Sequence, residues 1–194
     1  MKRQADAFRL RDVPHLVAHL WDLLFRPTPL LQSRLEEATE ELNLSPSFLA
    51  LHFRAGNESG RLWWDPSRHS LQTLPEFLKC AFLAEKELEL SEDTPWFLST
   101  DTLGTFDVPE VADLISSKKL RVLGDGWHLA HVDRSHANLG LQGFLDSYVS
   151  YLLLSKARAL VLSRSFFGET AAEIGAVPHV YFAEGCVRTD IRSS

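Results

Sequence analysis

The chain has 194 residues, 45% of them hydrophobic, enough to bury a substantial core as one domain or as one half of a two-domain enzyme. Its formal net charge of -6 excludes a general nucleic-acid binder, because a phosphate-tracking surface needs a basic excess to displace counterions. Any anionic ligand must be held by a local site. Cys80 and Cys186 are too few for a disulfide framework and have no zinc-like spacing, so two buried free thiols are expected. No apolar run reaches the roughly 18 residues of a membrane span, since YLLLSKARALVL is broken by Lys156 and Arg158. The start, MKRQADAFRLRD, is basic and polar and does not resemble a signal peptide, so a soluble chain without an address is expected.

In chain order, a helical region carries apolar residues at Leu16, Leu20, Leu23 and Leu24 and is broken by RPTP, after which LLQSRLEEATEEL predicts an acidic amphipathic helix. FLALHF reads as strand one. The polar loop RAGNESGRLWWDPSRHS leads to Thr73, which with Glu76 predicts a capping box heading a helix to about residue 88. WFLST is the second strand, and DVPE predicts a helix over about 108–117 with Asp107 at its N-cap and Glu110 three residues on. LRVLG reads as strand three. After the loop DGWHLAHVDRSHAN come a long helix over roughly 139–157, the strand ALVLS, a helix over about 166–175 and a last strand HVYFA. Strands alternating with helices predict an α/β, Rossmann-like fold whose largely parallel sheet is covered on both faces and preceded by helices. No repeat, low-complexity segment or long linker interrupts it.

Ligands of such sheets bind beyond the carboxyl ends of the strands. His52 and Arg54 fall there, where a polar side chain gives up little burial and reaches a ligand; the alternatives are a core histidine and a surface arginine. There is no G-x-G-x-x-G after a strand and no Walker loop, and GDG at 124–126 reads as a turn. A phosphate site can instead be assembled from an arginine fork and a helix N-terminus, whose free N–H groups carry partial positive charge. VLSRSFFGETAAEIG supplies the second half: a strand runs into Ser163, Arg164 and Ser165, and a helix with small residues follows. His128, His131 and His136 fit no standard zinc spacing, so no metal site is expected. The pair Trp63 and Trp64 either stacks on a sugar or anchors its loop.

The segments LFRPTPLLQSRL, LALHFRAGN, WFLSTD and LLLSKARALVLSRSFFGETAAEIG, in this order over about residues 24–183, resemble the nucleotide-binding half of the GDP-fucose-dependent fucosyltransferases. That superfamily contains the α-1,2, α-1,6 and protein O-fucosyltransferases. The resemblance implies a GT-B C-terminal-type domain and an inverting enzyme, independent of metal and cofactor. Such an enzyme transfers fucose from GDP-fucose to a hydroxyl of a glycan or glycoprotein acceptor. It also implies residence in the Golgi or ER lumen, and a division into residues 1–45, a helical remnant of or link to an acceptor domain, and residues 46–194, the GDP-sugar-binding domain.

Carried over residue by residue, Arg54 matches the arginine that binds the β-phosphate and stabilises leaving GDP, and His52 matches a position near the guanine. Gly56 and Asn57 complete the H-x-R-x-G stretch, with asparagine where the family commonly has aspartate. Ser163, Ser165 and the N–H groups of Phe166 and Phe167 match the phosphate-binding strand end. Asp101 matches an acidic position lining the nucleotide site, its alternative being a turn or cap residue. Ser150 stands where the family reads guanine with aspartate; Asp146, one helical turn earlier on the same side, is the candidate substitute. Arg164 stands where the family often has serine, as an added cation or a solvated residue. Glu58, Asp65 and Asp101 are the candidate bases. The asparagine, Ser150 and the short amino-terminal part leave two other readings open. One is a non-catalytic GDP-sugar or glycan-binding domain; the other is a Rossmann-like glycosyltransferase using another nucleotide sugar.

Overall fold

The computed structural model describes residues 15–56, 68–127 and 140–189. Helices α1 (Leu16–Leu24) and α2 (Pro29–Glu41) precede strand β1 (Leu49–Phe53). Then follow α3 (Leu74–Glu87), β2 (Trp96–Thr100), α4 (Pro109–Ser116), β3 (Leu120–Arg121) and α5 (Gly140–Ser155). The chain continues through β4 (Ala159–Leu162), α6 (Phe166–Ile174), β5 (Val180–Phe182) and β6 (Val187–Thr189). The sheet order is β3-β2-β1-β4-β5-β6, parallel throughout except for the antiparallel β6. This is the expected Rossmann-like α/β architecture.

Strand periodicity divides the core into two layers. On one face Leu49, Leu51, Phe53, Trp96, Leu98 and Val161 pack with Phe77, Ala81 and Ala84 of α3 and Val111 of α4. On the other, Ala50, Phe97, Leu160 and Leu162 pack with Leu35 and Ala38 of α2, Val149 and Leu153 of α5, and Ala171 of α6. Helix α2 is thus part of the same core as the sheet. Thr28 caps it by accepting the Leu31 N–H at 3.3 Å, and Pro29 opens its first turn, where a missing N–H costs nothing.

Several local expectations are corrected. Helix α1 does not bury its leucines: Leu20, Leu23 and Leu24 are exposed, and it is Ala18 that is buried. Trp21 stacks on Phe25 at 4.6 Å. Thr73 makes no capping box, because a 3-10 turn over Leu71–Thr73 already places it in helical conformation. Its hydroxyl donates to the Ser70 carbonyl at 2.8 Å instead. Val108, not Asp107, is the N-cap of α4, since Asp107 closes a 3-10 turn over Leu103–Asp107. Strand β3 pairs only over Leu120–Arg121 and β6 is an addition; its residues are mostly exposed, so hydrophobic alternation gives no signal for it.

The free-thiol expectation is also wrong. Cys80 of α3 and Cys186, in the turn between β5 and β6, form a disulfide with Cα atoms 5.2 Å apart. Residues 106 apart in sequence meet because α3 and the β5–β6 turn pack on the same face of the sheet. Closing a loop of this length removes denatured-state entropy worth up to about 4.7 kcal/mol in the chain-entropy model. The Cys80→Ser/Cys186→Ser variant is expected to lose about 2–4 kcal/mol in urea denaturation, and the unreduced protein should titrate with no free thiol.

Candidate functional site

Because β1 lies between β2 and β4, the residues leaving these three strands converge at one edge of the sheet. Ser163 seals the β1–β4 side. Its N–H donates to the His52 carbonyl at 3.0 Å, its hydroxyl donates to the same carbonyl at 3.1 Å, and that hydroxyl accepts the Arg54 N–H at 3.0 Å. Asp101 seals the β1–β2 side, accepting the Ala55 N–H at 2.8 Å on one oxygen and the Gly56 N–H at 3.0 Å on the other. Gly56 has φ of 81°, a left-handed conformation natural to glycine, so the chain turns sharply there.

Arg54 emerges between these two clamps, its Nε 3.9 Å from Asp101 Oδ2. Burial pushes the Asp101 carboxyl above its usual pKa range, while the two backbone donors and the Arg54 charge pull the other way. With both carboxylate oxygens engaged by amides, Asp101 is built as an anchor of the loop that carries Arg54.

His52 is 4% exposed and lies beneath the site. Its Nε2 is 3.4 Å from Ser165 Oγ and its ring packs on Phe167 with centroids 5.2 Å apart. Nδ1 is buried without a well-formed hydrogen bond among the described residues. Burial, followed by the neighbouring Arg54 charge, depresses its pKa from 6.5 to about 3, a Ser99 backbone interaction opposing weakly. The histidine is therefore neutral at physiological pH. Its imidazole is a packed support for the start of α6.

Helix α6 begins at Ser165, whose side chain makes no cap bond. The cap comes from Glu169, whose Oε1 accepts the Ser165 N–H at 3.2 Å. Phe166 is 86% exposed, while the Phe167 ring lies 5.1 Å from that of Tyr151. At Gly168 a Cβ would stand 2.8 Å from Leu162 Cδ2 and 2.9 Å from His52 Cδ2, so only glycine lets the helix seat against the strands. Arg164 turns outward, its Nε 3.4 Å from Glu184 and its guanidinium over the Phe182 ring.

Asp146 belongs to a different cluster. It is 1% exposed and accepts Arg34 Nε at 2.9 Å and Gln142 Nε2 at 3.0 Å. Arg34 stacks on Trp127 at 3.5 Å and donates to the Gly126 carbonyl, while Glu41 accepts the Trp127 indole N–H at 2.7 Å. Asp146 thus ties α5 to α2 and to the loop after β3. The structure brings together His52, Arg54, Gly56, Asp101, Ser163, Ser165 and the start of α6, and leaves Asp146 aside. Asn57, Glu58, Trp63, Trp64, Asp65, His128, His131 and His136 lie outside the described residues. Among the described residues, no three metal-ligating side chains converge. Sequence reasoning passed over Glu169, whose only signal is its place four residues after Ser165.

The sheet and its strand ends define a Rossmann-like domain with an arginine and a helix N-terminus at the carboxyl ends of its central strands. No protein-family model matches the sequence, and no curated protein matches it. Solved structures do. The fucosyltransferase NodZ from Bradyrhizobium is 17% identical over 84% of this chain and 47% of its own, with a TM-score of 0.53. FUT1 from Arabidopsis thaliana, solved in complex with GDP, is 17% identical over 93% of this chain and 37% of its own, with a TM-score of 0.55. NodZ α-1,6-fucosyltransferase co-crystallised with GDP matches at 16% identity and a TM-score of 0.50. The chain therefore shares the fold of GDP-fucose-dependent fucosyltransferases and spans less than half the length of these structures.

The site sets two expectations. The depressed His52 pKa means the unfolded chain binds the extra proton first, so stability is full above pH 6.5 and falls as pH drops toward 3. Between pH 6.5 and 5 the loss is about 2 kcal/mol, and it should shrink in His52→Gln when urea curves at the two pH values are compared. Gly168→Ala is expected to cost about 1–3 kcal/mol through overpacking against Leu162 and His52, measured by thermal or urea unfolding.

Proposed function

We propose that this chain is the donor-binding domain of a fucosyltransferase-like glycosyltransferase acting with GDP-fucose. In this reading the diphosphate lies between the Arg54 guanidinium and the N–H groups of Phe166 and Phe167, with Ser165 alongside. The observation that carries it is the pinning of the backbone at Arg54–Gly56 by Ser163 and Asp101, at the end of the strand next to the one that leads into α6, in a fold shared with GDP complexes.

Chemically, an acceptor hydroxyl oxygen of a glycan or glycoprotein attacks the anomeric carbon of fucose from the face opposite the diphosphate. The bond from that carbon to the β-phosphate oxygen breaks, its electron pair leaves with GDP, and configuration inverts. The acceptor proton passes to a base or to water. Negative charge grows on the diphosphate as the bond breaks, and Arg54 supplies the compensating positive charge in place of a metal ion. Asp101, Glu58 and Asp65 are the candidate bases, and Asp101 keeps lone pairs beyond those that accept the two amides.

A second reading, a non-catalytic GDP-sugar-binding domain, is favoured by the burial of Asp146 against Arg34, which withholds that carboxylate from a guanine ring. Slow release of free fucose from GDP-fucose without acceptor supports catalysis; binding without any release supports this alternative.

Calorimetry with GDP, UDP and ADP tests the donor site. GDP is expected to bind in preference to the others, and Arg54→Ala to weaken it by about 30-fold, the equivalent of ~2 kcal/mol for charge-assisted hydrogen bonds. Equal GDP affinity in the variant overturns the site.

A further inference from the structure

We infer that Glu169 is an internal competitor for the phosphate-binding end of α6 and sets how readily GDP leaves, an inference that rests on the donor-site reading above. The Ser165 hydroxyl faces His52 and caps none of the helix N–H groups, and the carboxylate of Glu169 accepts the Ser165 N–H at 3.2 Å, next to the Phe166 and Phe167 N–H groups assigned to the diphosphate. A carboxylate is stabilised at a helix N-terminus for the same reason a phosphate is: unpaired N–H groups and the positive end of the helix dipole. Both anions therefore compete for one end of one helix.

Apart from Arg54, which the donor-site reading already assigns to the diphosphate, the neighbouring charges do little to relieve this competition. Arg164, which immediately precedes Ser165, is 70% exposed at its side chain and pairs with Glu184. Glu173, one turn further along α6, adds negative charge on the same stretch, its carboxyl pKa raised by burial and then by Glu169. An arriving diphosphate must displace the Glu169 carboxylate or bind beside it against repulsion. Either way part of the helix-end stabilisation is given up, and it is regained when GDP departs. Product release limits turnover in many enzymes, and an internal anion that re-forms its own contact favours release.

Glu169→Gln separates charge from structure, because glutamine still offers Oε1 to the Ser165 N–H and should leave the melting temperature near that of the wild type. GDP binding and dissociation are measured on the full chain for the wild type, Glu169→Gln, Glu173→Gln and Arg54→Ala. Glu169→Gln is expected to bind GDP about three- to fivefold more tightly, chiefly through slower dissociation, and Glu173→Gln to stay close to the wild type. GDP binding by Glu169→Gln where the wild type shows none also supports the inference. Unchanged or weaker binding in Glu169→Gln, or an equal gain in Glu173→Gln, overturns it. If the wild type binds GDP and Arg54→Ala does not while Glu169→Gln gains nothing, the donor site stands and only the role of Glu169 falls. Absence of binding in both the wild type and Glu169→Gln overturns the two together.

Discussion

The hydroxyl of Ser163 joins the His52 carbonyl to the Arg54 amide and so extends the β1–β4 seam past the last paired residues. With that seam closed, the chain leaving β1 has little freedom, and Asp101 from the other neighbouring strand takes the next two amides. Arg54 is therefore aimed by backbone bonds on both sides. A charge held in place before it acts needs no reorganisation, and the donor-site proposal draws on that electrostatic principle.

The same seam explains why His52 is neutral. A histidine so deeply buried, two residues from an arginine, gains nothing from a proton, and the positive charge near it is that of arginine. In a chain of net charge -6, positive potential has to be local, and burying Asp101 under the loop keeps its carboxylate turned to amides. The packing of His52 against Phe167 and Gly168 couples this strand end to the helix that follows β4, so cation and helix terminus keep a fixed relation.

Much of this was legible in the sequence. Fully buried parallel strands are short apolar runs, and β1, β2 and β4 stood out for that reason, with His52 and Arg54 marking where β1 stops being purely aliphatic. The small residues opening α6 were visible, but that Gly168 seats the helix against Leu162 and His52 was not. What stayed hidden depends on contacts remote in sequence. Nothing near Asp146 announces Arg34, 112 residues away, as its partner. Thr73 and Glu76 have the spacing of a capping box, but a preceding 3-10 turn removes the extended geometry that box needs. Exposed, short β6 exists only because β5 offers it an edge.

The cross-link from Cys80 to Cys186 also constrains where and how the chain can be made. Such bonds persist in oxidising surroundings, so material produced in a reducing cytosol would be a less constrained form of the molecule. During synthesis Cys80 emerges long before its partner, which follows 106 residues later. Within these 194 residues there is no third cysteine to capture it. Until its partner emerges, Cys80 is open to thiols of neighbouring nascent chains, so high nascent-chain density is a hazard for its maturation.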